Sequence, residues 1–243
     1  MILRETTGVN TANIAMMTVP LIAETSDTES TDPFAYFIRW SIPGFLVLIY
    51  ILPVYQLVFM IVKEQESRCK ESMRMMGMSD ASYWLSWFVH YTIINTVITT
   101  IAWLVLLTNV IQFSRPFYIW IYFWLYGEAV FGQIVLIQSF LSKSKFSGIA
   151  ATLFYFGCTF FAWPTESDSA SHSLKATLGI LPQVTVYEMA RVWSIFETNG
   201  VGITKFTASE VIYGFSFNEG LILLIGGFFL WLLVGLYLDQ VLP

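Results

Sequence analysis

The sequence predicts an all-α integral membrane fold, a polytopic bundle of about five transmembrane helices, and three observations carry that expectation. Hydrophobic residues make up 56% of the 243 and charged residues only 12%, where a water-soluble domain carries roughly 25% charged residues. A soluble fold of this size could not hide so much apolar surface. The apolar residues are gathered into long runs, and the basic residues sit in the short segments between them: Lys63, Arg68, Lys70, Arg74, Lys143 and Lys145 are six of the twelve. The formal charge of −5 therefore describes a segregated pattern more than an acidic surface, and no nucleic-acid partner is expected.

A bilayer core about 30 Å thick needs about 20 apolar residues in a helix, and that length assigns the elements in order. Residues 1–33 are polar and acidic, with the run Glu24 to Asp32, and MILRETTGVN builds no apolar core of the kind a cleavable signal needs. The first span is 40–62; Pro43 and Pro53 lie within it, and kinks are expected there because neighbouring helices can satisfy the freed carbonyls. The second span, 81–113, is longer than a bilayer requires and should tilt or project. Ser114-Arg115-Pro116 turns it into the third, 116–141, as an antiparallel hairpin, with Pro116 suited to a first helical turn. The fourth span, 146–163, begins with the small residues Ser144, Ser147, Gly148, Ala151 and Thr152 on neighbouring faces, which favours close helix contact. The fifth, 220–238, is uniformly apolar, and Gly226-Gly227 offers a similar contact. Trp40, Trp84, Trp87 and Trp163 near span ends read as interface anchors.

The positive-inside rule places the two basic loops in the cytoplasm. Residues 1–33 then lie outside as the end of a larger exterior domain, with a further helix expected upstream, and the chain finishes inside at Asp239 to Pro243. The segment 165–216 falls outside too. In it Val186, Met189, Ala190, Trp193 and Phe196 recur at helical spacing while Glu188, Arg191 and Glu197 fall elsewhere. That predicts an amphipathic helix at the outer interface or a re-entrant hairpin interrupted at Pro182; an exposed loop helix packed on the bundle is the alternative.

Catalytic chemistry is not indicated. Cys69 and Cys158 form neither a disulfide framework nor a metal-ligand spacing, the two histidines have no convincing nucleophile partner, and no G-x-x-x-x-G-K-[ST] phosphate loop occurs. No cofactor is expected on this chain.

Two features point to a job. Residues 63–78 read as one helix, with Glu64 four residues before Arg68, Glu66 four before Lys70 and Lys70 four before Arg74. Cys69, Met73 and Met76 form an adaptable apolar stripe and Gly77 a C-cap. The second feature is Glu128, deep in the third span, where a carboxylate needs a partner or an interior position; His90 in the second span is a candidate partner, about 6 Å away in helix rise.

The run Glu64-x-Glu66-x-Arg68-x-Lys70-Glu71-x-Met73-x-x-Met76-Gly77, followed by Trp84 to Phe88, resembles the loop after the second transmembrane helix of lipid-exporting ABC transporters of the A subfamily. Leu181-Pro182 through Asn199-Gly200-Val201-Gly202 resembles that family's segment before its last transmembrane helix, and Tyr237 to Pro243 resembles the junction into its nucleotide-binding domain. Gln65 and Cys69 depart from the pattern, which usually has a basic and an aliphatic residue there. The resemblance implies a transmembrane half-domain with a first helix and exterior domain upstream and an ATPase downstream. It implies that residues 63–78 couple to that ATPase, that 165–216 forms external re-entrant helices, and that ATP and Mg belong to the missing domain. The implied partners are that domain, a second transmembrane half and membrane lipid. A stand-alone secondary transporter or channel using Glu128 and His90 is the alternative; it would need no cytoplasmic docking helix.

Overall fold

The computed structural model describes residues 37–108, 110–166 and 170–241; the segment 1–33, expected outside the membrane, and the last two residues lie outside these. A π-helical turn, Phe37–Ser41, leads into α1, Ile42–Glu66. The remaining helices are α2, Cys69–Met75; α3, Asp80–Leu107; α4, Pro116–Gln138; α5, Ser144–Gly157, which tightens into a 3-10 turn at Cys158–Thr165; α6, His172–Leu178; and α7, Pro182–Thr198. A small hairpin pairs β1, Val211–Ile212, with β2, Phe215–Ser216, before α8, Phe217–Val241. Five of these elements are long and apolar enough to cross a membrane. Pro43 falls in the first turn of α1, where it interrupts no ladder, and the helix continues unbroken through Pro53.

The axis of the bundle is α4. Of its apolar window 72% is buried, against 17% for α3 and for α8, which lie at the periphery. α8 packs along α4 backbone to backbone: a Cβ on Gly132 would come within 2.8 Å of the Phe228 carbonyl oxygen, and one on Gly235 within 2.7 Å of the Leu136 amide nitrogen. The small residues at the start of α5 do make close contact, with Ser147, Gly148 and Ala151 buried against α1 and Gly148 beside the Tyr55 ring. Of the glycine pair in α8, Gly227 approaches the Ile180 carbonyl, whereas a Cβ on Gly226 would meet nothing.

The antiparallel α3–α4 hairpin is joined by a ladder of polar contacts that advances three or four residues on one helix as it retreats four on the other. Asn95 Nδ2 and Thr92 Oγ1 donate to the Glu128 carboxylate at 2.8 and 3.3 Å. Trp124 Nε1 donates to Thr96 Oγ1 at 3.1 Å, Trp120 Nε1 to Thr100 Oγ1 at 3.4 Å, and Trp103 Nε1 to the Pro116 carbonyl at 2.9 Å. In an apolar medium such bonds fix helix register where apolar packing alone discriminates poorly.

Two expectations are corrected. The second span ends at Leu107, not 113, because the next turn finds a better acceptor than its own helix. The buried Glu197 carboxylate accepts the backbone N–H groups of Gln112, Phe113 and Ser114 at 2.7, 2.8 and 3.2 Å, together with the Ser114 hydroxyl. These amides end α3 by capping to α7. The second correction concerns α7, which is no amphipathic surface helix: its polar residues are as buried as its apolar ones. Glu188 lies 3.5 Å from Lys175, whose ammonium also donates to the Tyr213 carbonyl at 2.9 Å. Burial pushes the Glu188 carboxyl up from its ordinary value, and the Lys175 charge pulls it partly back. Gln183 exchanges two hydrogen bonds with Gln133 of α4, and Arg191 reaches the Glu166 carbonyl and the face of Tyr213.

Candidate functional site

The predicted helix 63–78 is two helices, and the break sets the geometry of the basic end of the bundle. α1 stops at Glu66, Ser67 caps it, and Arg68 turns the chain in the left-handed region, φ 55°. No glycine marks that turn, so a helical pattern runs through it in the sequence. The turn redirects α2, and the expected pairs between Glu64 and Arg68 and between Glu66 and Lys70 are replaced by ties to other elements. Glu64 accepts from the Tyr83 hydroxyl at 3.0 Å. Glu66 accepts from the Ser144 amide and hydroxyl at 3.0 and 2.5 Å, holding the start of α5. Lys70 Nζ donates to Asp239 at 2.6 Å and Arg74 to Asp80 at 2.5 Å. Gly77, at φ 95°, closes α2 as expected: its amide donates to Arg74 O, and that of Met78 to Met73 O.

α2 buries none of its seven residues. Of the expected apolar stripe only Met73 packs against the core; Cys69 is exposed, and Met76 and its neighbour Met75 are about 80% exposed. Glu71 sits in the first turn, where an acid suits the helix dipole. α2 is held against the bundle by the packing of Met73, by Arg74–Asp80 and by Lys70, which joins a cluster converging on Asp239 near the end of α8. Asp239 accepts from Lys70, from Gln65 Nε2 at 3.2 Å and from Gln138 Nε2 at 3.3 Å, while Gln65 also donates to Gln138 at 2.7 Å. Lys70 lies over the rings of Tyr83 and Trp84, 5.2 and 5.5 Å from their centroids. An apolar groove of about 990 Å³ between α3 and α8, floored by Phe88, Phe131 and Phe228, opens beside this cluster.

Sequence reasoning gave no side-chain role to Gln138 or Tyr83, read Asp239 only as part of the junction-like ending, and read Trp84 as an interface anchor and part of the family pattern. A signal was present: Asp239 is the acid that closes the charge-free run starting at Gly220. Gln65, a departure from the family pattern, is part of the junction.

The interior pair is also corrected. Glu128 is buried and its partners are Asn95 and Thr92. His90 is exposed on another face of α3, edge-on to Trp87 and lining a cavity of about 360 Å³ with Glu64, Met73 and Met78. Asn95 also donates to the Trp124 carbonyl at 3.1 Å and accepts from the Tyr50 hydroxyl, so α1, α3 and α4 meet there. Glu128→Gln keeps one acceptor for Asn95 and turns a donor toward Thr92, so its melting temperature should stay near that of the parent. Glu128→Ala leaves donors without acceptors, each costing about 1–3 kcal/mol, and should melt clearly lower in a fluorescence-detected thermal assay of the full-length protein.

Four apolar helices around a buried fifth, with charged residues gathered at a junction on one end, define an integral, multi-pass membrane domain. The chain belongs to the family described as ABC-2 family transporter protein, which it matches over residues 2–237, and is thus the membrane part of an ABC transporter. It is similar to the retinal-specific phospholipid-transporting ATPase ABCA4 of Bos taurus, 26% identical over 221 residues that cover 87% of this chain and 10% of that protein. It is also similar to ATP-binding cassette sub-family A member 7 of Mus musculus, 33% identical over 128 residues, 51% of this chain and 6% of that protein. Sub-family A member 2 of Rattus norvegicus is 24% identical over 195 residues, 77% of this chain and 8% of that protein. The chain spans at most 10% of the length of these relatives, all of the A subfamily that the sequence resembles.

Proposed function

We propose that this chain is the membrane-spanning part of an ATP-driven transporter that moves lipids or other amphipathic substrates, powered by a nucleotide-binding domain outside the chain that uses ATP and Mg. The observation that carries the reading is its likeness, over most of its length, to a protein named as a phospholipid-transporting ATPase. The basic end lies in the cytoplasm, α6 and α7 form the external re-entrant segment, and a second transmembrane half completes the pathway.

In this reading α2 and its flanks, Glu64 to Gly77, transmit motion from the ATPase. A helix of seven residues that buries none of them has little reason to exist for its own stability, since an isolated helix this short is marginal in water. Its exposed Met75 and Met76 suit an adaptable contact with a partner. The secondary-transporter alternative loses its main support, because His90 and Glu128 do not meet.

Arg68→Pro tests the coupling role. Proline fixes φ near −65°, incompatible with the left-handed turn at 55°. In the full-length protein reconstituted into vesicles, ATP-dependent lipid movement should be abolished by Arg68→Pro and by Met73→Pro; undiminished transport in both would refute the role.

A further inference from the structure

Asp239 accepts hydrogen bonds from three helices other than its own. Lys70 of α2, Gln65 of α1 and Gln138 of α4 all donate to it, at 2.6, 3.2 and 3.3 Å. The Lys70 and Asp239 side chains are only 18% and 9% exposed, so this charge pair is less screened than the other tie of α2 to the bundle, Arg74–Asp80, at 64% and 35%. The ammonium is confined further by the faces of Tyr83 and Trp84 from α3. Besides the packing of the partly buried Met73, α2 takes its position from such charged ties, and this is the more enclosed of the two.

We infer that Asp239 is the positioning residue that makes α2 and the end of α8 move as one body: its carboxylate holds Lys70 in the Tyr83–Trp84 cage, so that a push on α2 is delivered to α8. This rests on the proposed role of α2 in coupling and adds to it the route by which motion enters the bundle. A push on α2 that is not relayed through Lys70 would be absorbed at the Arg68 turn, where the backbone is already bent.

The geometry distinguishes the contributions of charge and shape. Asp239→Asn keeps an acceptor for Gln65 or Gln138 and removes the charge that holds Lys70. Lys70→Gln removes the cation and its contact with the rings. Lys70→Arg keeps both, since a guanidinium pairs with a carboxylate and stacks on aromatic faces.

The experiment uses the full-length transporter in vesicles of phosphatidylcholine and phosphatidylserine. It records lipid moved per ATP hydrolysed, and amide exchange over residues 69–76 by mass spectrometry. Asp239→Asn and Lys70→Gln should each lower the lipid-per-ATP ratio about tenfold, within the ordinary range of coupling between sites. Both should speed exchange in α2 while leaving α4 protected, and Lys70→Arg should retain most of the ratio. An unchanged ratio in Asp239→Asn, with transport abolished by Arg68→Pro, overturns the role of Asp239 and leaves the coupling reading intact. Transport undiminished in all of these variants overturns both. If Lys70→Arg fails as badly as Lys70→Gln, or exchange rises throughout the bundle, the residues are structural only and the inference is wrong.

Discussion

Substituting Gly235 by alanine is expected to lower the melting temperature of the full-length protein by several degrees, while the same substitution at Gly226, nine residues earlier on the same helix, is expected to be neutral or slightly stabilising. The two sites differ in what the new methyl group meets. At Gly235 a Cβ would lie 2.7 Å from the Leu136 nitrogen, 2.8 Å from the Val135 carbonyl carbon and 3.0 Å from the Leu136 Cα. All three are backbone atoms of the buried α4, so no side chain can swing aside and α8 itself must move. Overpacking of a fitted interface costs typically about 1–3 kcal/mol, and a clash with backbone belongs at the upper end. Gly235→Val should be worse, because its branched side chain adds volume at the same point. At Gly226 a Cβ meets nothing within 4 Å, so only the helix propensity gain remains, up to about 1 kcal/mol. Thermal unfolding followed by size exclusion checks both; equal melting of the two alanine variants would mean that α8 does not approach α4 this closely. Ser139 Oγ, which donates to the Gly235 carbonyl at 3.1 Å, should lose that bond in Gly235→Val.

The contrast between the two glycines shows what was legible in the sequence. All five spans could be read, because twenty apolar residues in a row have few other solutions. The glycine pair at 226–227 stood out in composition, yet the backbone approaches between α4 and α8 are made by Gly132 and Gly235, neither of them next to another glycine; which glycine faces a neighbour depends on helix rotation, and α8 is apolar all round. The same limit explains Glu128. Its position inside the bundle could be read from its depth in an apolar run, but its partner could not: His90 matched in rise along the helix and failed in azimuth, while Asn95 and Thr92, unremarkable in composition, face it. Around residues 63–78 the i, i+4 spacing was sound as a pattern, but with one residue in the left-handed region Glu64, Glu66, Lys70 and Arg74 pair with other elements.

The external segment was legible as helices and illegible as to their surroundings. A run such as Val184 to Glu197 with three charges reads as amphipathic by spacing, but spacing does not reveal that each charged group has a partner on another segment. Glu188 has Lys175, Arg191 has the Glu166 carbonyl, and Glu197 has a loop more than eighty residues earlier. Such a helix behaves as a core element whose polar groups are matched one by one.

Glu197 makes the second large effect calculable. Its carboxylate takes three backbone amides from residues 112–114, the Ser114 hydroxyl and, at 3.2 Å, the Trp193 indole N–H. The loop it holds is in turn clasped from the other side: Arg115 N donates to the Ile203 carbonyl at 3.0 Å, Ile203 N to Ser114 Oγ at 2.9 Å, and Gly202, at φ 68°, lies so close to Phe113 and Ser114 that no side chain fits there. Glu197→Ala removes the acceptor and leaves these donors without it, the Ser114 amide and hydroxyl and the Trp193 indole buried and the Gln112 and Phe113 amides partly so. Even if half of them find water, the loss at about 1–3 kcal/mol per unsatisfied group comes to roughly 3–5 kcal/mol, comparable to removing one partner of a buried charge pair. Glu197→Gln should be nearly as damaging, since its amide turns a donor toward groups that are themselves donors. The expected result is rapid amide exchange at 112–114 and a lower melting temperature in both variants, with Glu197→Asp intermediate because a shorter side chain reaches fewer of the amides. Protection at 112–114 that survived Glu197→Ala would show that the clasp from Gly202 and Ile203 suffices, and that the α3–α4 turn does not depend on α7 for its shape.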